Sequence, residues 1–262
     1  MNLKDMFKLN GKVALVTGGG RGLGKFIATG LAEAGADVIL TSRKQKNLEA
    51  TAHELESKFN IKALPVAGDL EKPDDIDNVF KTAMNHFGRI DILVNNAGYT
   101  WGAPTLEFPL ERWDKLFNIN VRGVWIMTQN VANVMKKQGG GNIINVSSVM
   151  GFRGSPEETH PAVPYNSSKA AINVLTMNLA VKLAAYKIRV NAIAPGFFHT
   201  DMMAYLDKPE FKDAQEATIA QIPMRRVGDA DDIKGVAVFL ASDASAFMTG
   251  NIVIVDGGML AK

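Results

Sequence analysis

The sequence predicts a doubly wound α/β fold in a single domain, residues 1–262, with seven parallel strands and helices on both faces. Three observations predict it. Short apolar runs alternate with longer segments of helical period, which is the β-α-β rhythm of a parallel sheet. The strand candidates are apolar throughout rather than alternating, as strands buried on both sides are. The chain is 47% hydrophobic, enough to enclose such a sheet in one core.

The first strand is expected at residues 12–17 (KVALVT), followed by a glycine-rich turn and a helix over 23–34. Residues 37–41 (DVILT) give the second strand, with a polar helix around 44–59. The third lies at 61–66, and a helix runs from 73 to 87, opened by Pro73, which has no N–H to leave unpaired there. A short buried strand at 91–94 is the fourth. One long helix is expected from 110 to 137, stopped by Gly139-Gly140-Gly141. Residues 142–146 (NIINV) form strand five, 165–185 a helix and 188–193 strand six. Asp229 is placed to cap a helix reaching Ala241, and residues 251–255 close the sheet as strand seven. Two stretches, 151–164 and 196–227, break the rhythm after strands five and six, where open α/β sheets hold ligands. They are the expected substrate loops.

Composition excludes several classes. With 29 basic and 27 acidic residues the net charge is +2, and no broad field favours a nucleic-acid or membrane partner. There is no cysteine, hence no disulfide, thiolate nucleophile or cysteine-ligated zinc. The first dozen residues are polar and mixed in charge, unlike a secretory signal, and no apolar run approaches the ~20 residues that span a bilayer. His160 and His199 lack the spacing of a metal site, so no metal is expected. The chain is expected to be a soluble cytoplasmic protein acting on a small molecule.

The first strand ends in Thr17-Gly18-Gly19-Gly20-Arg21-Gly22-Leu23-Gly24 and runs into an amphipathic helix. Glycines let backbone approach a pyrophosphate, and the helix start offers free N–H groups and a positive dipole end. A cluster of this kind alone would equally suit an unliganded turn. In the first β-α-β unit of an alternating chain it indicates a Rossmann-type dinucleotide site.

The spacing is T-G-x-x-x-G-x-G, and here the chain resembles the short-chain dehydrogenase/reductase family in its single-domain form. The resemblance runs from Lys12 to Gly258. Asn95-Asn96-Ala97-Gly98 matches the family's N-N-A-G element, Asn120 its catalytic asparagine, and Ser148, Tyr165 and Lys169 its serine and Y-x-x-x-K pair. Pro195-Gly196 with Thr200 matches the segment after strand six. Each residue has a plainer reading by itself, as turn, cap or surface. Together, in order, they form a catalytic constellation.

The chemistry of these residue types agrees. Tyr165 and Lys169 stand four apart, on one face of a helix. A phenol titrates near pH 10, too high for easy proton exchange at neutrality. A nearby ammonium and the charge of an oxidised nicotinamide are expected to lower it. Tyr165 is then the acid/base for a ketone or alcohol oxygen, and Ser148 holds that oxygen, with Ser147 as the alternative hydroxyl. The resemblance adds that Lys169 binds the nicotinamide ribose and that Asn120 holds a water linking Lys169 to solvent. Ser148 and Tyr165 stand seventeen residues apart, more than the family's usual spacing, and the extra residues fall within 154–164. A surface loop can absorb them at little entropic cost, and they alter the pocket rim.

For the cofactor, the end of strand two holds Ser42 and Arg43 where an NAD enzyme wants a carboxylate on the ribose. Arg43 and Arg21 can face a 2′-phosphate, so NADP(H) is expected. The resemblance further implies adenine contacts at Asp69 and Leu70, a ribose passage along Asn96, Ala97 and Gly98, and nicotinamide contacts at Phe198 and Thr200. The expected cofactor-binding set is completed by Gly18, Gly20, Gly22, Leu23, Gly24, Tyr165 and Lys169.

Phe197, Phe198, Met202, Met203, Tyr205 and Leu206 follow strand six, Trp101 follows the N-N-A-G element and Phe152 follows Ser148. They suggest an apolar wall, against which stand Arg153, Glu157, Glu158, His160 and His199. The chain most resembles reductases of 3-oxoacyl thioesters and related ketones. The alternative is a sugar-acid or polyol dehydrogenase such as the gluconate 5-dehydrogenases. A catalytically idle NADP-binding sensor is a third class, signalled by loss of the tyrosine or lysine, and both are present. The resemblance implies a homotetramer formed through paired long helices and the C-terminal strand.

Overall fold

The computed structural model describes residues 2–200 and 212–262. Seven parallel strands lie in the order β3-β2-β1-β4-β5-β6-β7: β1 Val13–Thr17, β2 Asp37–Ser42, β3 Ala63–Ala67, β4 Ile92–Asn95, β5 Gly141–Val146, β6 Ile188–Pro195 and β7 Ile252–Val255. The order reverses between β1 and β4, and that crevice is where an open sheet of this kind binds its ligand.

Alternate residues of each strand serve opposite faces. Ala14, Val16, Val38, Leu40, Ile92, Val94, Ile144 and Ile193 pack on α2 (Gly22–Glu33), α3 (Gln45–Lys58) and α9 (Ala230–Ala241) through Ile27, Leu31, Leu48, Leu55, Ile233 and Leu240. Val13, Leu15, Ile39, Leu93, Ile143 and Val190 meet α4 (Pro73–Phe87), α6 (Val124–Gln138) and α7 (Val163–Leu183) through Ile76, Val79, Met127, Val131, Met135 and Leu179. Burial on both faces explains why the strands lack polar alternation.

The punctuation behaves as its chemistry requires. Pro73 opens α4, Gly139 ends α6 at φ 90°, and Asp229 and Asp232 form a reciprocal capping box on α9. Two helices fall outside the expected set: α1 (Leu3–Met6), one turn at the N-terminus, and α8 (Lys212–Ala220), inside the second loop. The long helix expected from 110 to 137 is divided. α5 (Leu110–Phe117) passes into a π-helical segment, Asn118–Gly123, before α6 begins. Its i→i+5 bonding widens one turn, and Asn120 lies in that turn. Among the described residues no helix is long and apolar enough to cross a membrane.

Candidate active site

The glycine turn is braced from β4. Thr17 Oγ1 accepts from the N–H groups of Asn96 and Ala97, each at 3.0 Å, and Asn96 Nδ2 donates to the Thr17 carbonyl at 2.9 Å. Gly18 sits at φ 70° and Gly22 at φ 53°, in the left-handed region that side chains resist. A Cβ on Gly18 would come within 2.6 Å of Asn96 Nδ2, and one on Gly24 would collide with the Gly18 carbonyl. α2 then begins with no side-chain cap on its free N–H groups and no acidic residue in its first turn. α9, by contrast, carries its own carboxylates at that position. The uncapped start of α2 and its bare backbone cradle fit a pyrophosphate.

Ser42 ends β2 beside this turn: a Cβ on Gly20 would lie 3.3 Å from its hydroxyl oxygen. Arg43 follows, and both Arg43 and Arg21 are exposed. The side chain of Thr200 comes within 3.4 Å of the Cβ position of Gly22, joining the loop after β6 to the phosphate turn. Past β3, the main-chain N–H of Asp69 donates to Asp75 at 2.9 Å, one carboxylate oxygen of Asp69 accepts from Glu71 N at 3.1 Å, and Leu70 is buried.

Ser148, Tyr165, Lys169 and Asn120 converge at the carboxyl ends of β4 and β5. Ser148 caps the 3₁₀ turn that leaves β5, accepting from Met150 N at 3.1 Å. A Cβ on Gly151 would meet the Lys169 carbonyl carbon at 2.8 Å, so glycine there lets this turn lie directly on α7. Tyr165 packs against the small cluster of Val149, Met150 and Met259, and so does Phe197. Lys169 Nζ lies 5.7 Å from the Tyr165 ring centroid and donates to the Val146 carbonyl at 2.8 Å. Gly98 borders both Asn120 and Lys169, its Cβ position 3.5 Å from Asn120 Oδ1 and 3.7 Å from Lys169 Nζ.

The electrostatics differ from the expectation of a lowered phenol. Burial pushes the Tyr165 phenol up, and the neighbouring Ser148 hydroxyl only opposes it. Burial likewise brings the Lys169 ammonium down to about 8. The protein's own groups thus hold Tyr165 protonated, the form that can donate to a carbonyl oxygen.

Ser147 is not an equivalent hydroxyl. It is 3% exposed and donates to Asn173 Oδ1 at 2.6 Å, whereas Ser148 lies with Tyr165. Asn120 spends its whole side-chain amide on structure: Oδ1 accepts from Tyr99 N at 2.8 Å, and Nδ2 donates to Tyr99 O at 2.9 Å and Ser168 Oγ at 3.1 Å. Phe198 is brought to the site only by its backbone. Its ring is 4% exposed and buried in the core against Gly228. Of the expected apolar wall, Phe197 packs on the same small cluster as Tyr165, Trp101 and Phe152 are exposed, and Met202, Met203, Tyr205 and Leu206 lie outside the described residues.

Residue reasoning missed three contributors. Asn173 holds Ser147 and also donates to the Gly151 carbonyl at 3.3 Å, pinning the serine-bearing turn to α7. Asn95 bonds Thr128 and Asn145, each at 2.9 Å, beneath the site, and Asn145 continues to Thr176 at 2.9 Å. Met259, near the C-terminus, closes over the tyrosine. Asparagines in otherwise apolar strands were the available signal for the second.

A family model described as enoyl-(acyl carrier protein) reductase matches residues 18–260. The chain is 40% identical over 252 residues to 3-oxoacyl-(acyl-carrier-protein) reductase FabG of Aquifex aeolicus, covering 96% of this chain and 98% of that protein. It is 42% identical over 262 residues to 2-dehydro-3-deoxy-D-gluconate 5-dehydrogenase of Bacillus subtilis, covering 99% of each. Among solved structures, a gluconate 5-dehydrogenase of Burkholderia cenocepacia in complex with NADP and tartrate superposes with a TM-score of 0.90 at 35% identity, over the full length of both chains. A match of this extent, on a sheet of this order with serine, tyrosine and lysine brought together at its switch point, means that the chain belongs to the short-chain dehydrogenase/reductase family.

Proposed function

We propose that the protein is an NADP(H)-dependent oxidoreductase interconverting a ketone and a secondary alcohol, with Tyr165 as the acid/base. The observation that carries this is the meeting of Tyr165, Ser148 and Lys169 beside Gly98, next to an uncapped, glycine-lined helix start. The cofactor, when bound, supplies or accepts the hydride. Gly18, Gly20, Gly22, Leu23 and Gly24 would hold its pyrophosphate, and Asp69, Leu70, Asn96, Ala97 and Gly98 its adenosine half. Thr200 and the main chain of Phe198 would meet the carboxamide. Ser42, Arg43 and Arg21 would take the 2′-phosphate, in keeping with the NADP in the related structure.

In reduction, the protonated phenol donates to the substrate oxygen while Ser148 donates a hydrogen bond to the same atom, stabilising its developing charge. In oxidation the phenol must first lose its proton, which burial opposes. The positive charge of Lys169 and of an oxidised nicotinamide favours that loss. Lys169 would also hold the nicotinamide ribose. A water relaying protons to Lys169 would be held by Asn120, which borders Gly98 as Lys169 does. Turnover of a ketone panel, followed at the NADPH absorbance band in wild type and Tyr165→Phe, tests the assignment.

Both substrate classes named by the relatives fit a ketone site, 3-oxoacyl thioesters being the first reading and keto sugar acids the second. A cytoplasmic homotetramer completes the proposal. Val174, Met177 and Val181 leave an exposed apolar stripe at helical spacing on α7, and Ile254 is exposed on β7 at the sheet edge. Light scattering of the eluted protein measures the assembly directly.

A further inference from the structure

We propose that Arg153 and His160 form a subsite that grips a carboxylate of the substrate beside Tyr165, so that the ketone reduced belongs to a short-chain keto acid. The inference rests on the carbonyl-reductase reading above and names the substrate class within it.

The loop carrying these residues is docked rather than loosely inserted. Ala103 N donates to the Pro161 carbonyl at 2.9 Å, Thr105 N to Glu157 Oε2 at 3.2 Å, and Asn166 Nδ2 to the Arg153 carbonyl at 2.9 Å. The first two bonds tie it to the segment after β4 and the third to α7. They bring the His160 ring edge-on to Tyr165, with centroids 5.5 Å apart and planes at 83°. Arg153 lies close enough for its charge to act on His160.

The polar atoms there have no protein partner. Arg153 Nε, His160 Nε2 and Asn166 Oδ1 are buried and unbonded, and the terminal nitrogens of Arg153 pair with no described residue. The acids within the loop are turned elsewhere: Glu157 accepts from Thr105 N, and Glu158 is exposed. Burial, and then the charge of Arg153, hold His160 below the ordinary imidazole range, favouring the neutral ring, which keeps one N–H to donate. A docked loop that leaves a guanidinium and an imidazole unsatisfied beside the acid/base lacks an acceptor, and specifically an anionic one. A carboxylate supplies two oxygens, one for each side chain. A thioester or plain ketone offers one weaker acceptor and leaves the guanidinium charge unpaired. A site built to bond a polar group discriminates sharply against a ligand without it.

The test compares a keto sugar acid, its primary amide and a 3-oxoacyl N-acetylcysteamine thioester, with kcat and KM measured separately. Wild type is expected to favour the acid over the amide at least tenfold in kcat/KM. Arg153→Ala should raise KM for the acid on the order of 10- to 100-fold, the worth of a charge-assisted bond, and should cost the amide at least tenfold less. His160→Phe, which keeps a ring against Tyr165, should show the same selectivity to a smaller degree. NADPH affinity serves as the folding check. If Arg153→Ala fails it, Arg153→Lys replaces it, with an intermediate, acid-specific loss expected. Parallel losses on acid and amide, or a wild type that prefers the thioester, would overturn the subsite and leave the reductase intact. A wild type that turns over none of the three would overturn the reductase reading itself.

Discussion

Ser147 donates its hydroxyl to Asn173 Oδ1 at 2.6 Å, and this bond separates it from its neighbour Ser148, which faces Tyr165. Adjacent residues at the end of an extended strand point to opposite sides, so only one of the two can reach the reacting oxygen. Ser148→Ala is expected to cut kcat by about 10²–10³, as loss of one donor to a developing oxyanion does, with only the modest fall in melting temperature that losing its cap on Met150 N brings. Ser147→Ala should do the reverse, costing about 1–2 kcal/mol of stability and leaving kcat near wild type. Thermal melts and steady-state rates on both variants check the pair.

The glycines of the site differ in what they tolerate. Gly24→Ala sets a methyl against the Gly18 carbonyl, which cannot move without opening the turn, so NADPH binding should be lost with a lowered melting temperature. Gly98→Ala meets only ordinary contacts, at 3.5 Å or more, and should fold normally while weakening the cofactor by crowding its path. Fluorescence titration alongside melting separates the two outcomes.

Lys169 makes a prediction about pH. Its ammonium is brought down to about 8 by burial, so between that pH and the ordinary lysine range the unfolded chain binds more protons than the folded one. Wild type should therefore gain stability relative to Lys169→Met as pH rises from about 8 toward 10.5, by up to roughly 3 kcal/mol. Denaturant unfolding of both proteins at pH 7 and 10 measures it. A gap that stays constant or moves the other way contradicts a buried, destabilised ammonium.

Arg43→Ala should weaken NADPH about tenfold or more and leave NADH nearly unchanged, since on this proposal Arg43 would pair with the 2′-phosphate that NADH lacks. Ser42→Asp should go further by repelling that phosphate and accepting from the ribose of NAD. Equal affinity of the wild-type protein for the two cofactors would overturn the NADP assignment without touching Ser148, Tyr165 or Lys169.

The sheet was legible because β1, β2, β4 and β5 are short apolar runs with a glycine or asparagine close to at least one end, and Pro73, Gly139 and Asp229 punctuate helices by local chemistry alone. Tyr165 and Lys169 were legible for a similar reason, since a four-residue spacing fixes a shared helix face. The π-helical turn at Asn118–Gly123 was not, because one widened turn leaves the apolar spacing on either side compatible with a straight helix. The fate of Phe198 was hidden too. Its ring turns inward onto Gly228, a contact made across the fold that nothing in the local sequence announces. The direction of the Tyr165 shift depended on how deeply the phenol is buried, which a motif does not record.

The most direct test of the account is the single-turnover hydride-transfer rate of Tyr165→Phe against wild type, on the best ketone of the panel with saturating NADPH. The ring and its packing on Val149, Met150 and Met259 are kept, and only the proton donor is removed. The account predicts a fall of about 10²–10⁴ with NADPH affinity preserved. A rate within a few-fold of wild type would contradict the assignment of Tyr165 as the acid.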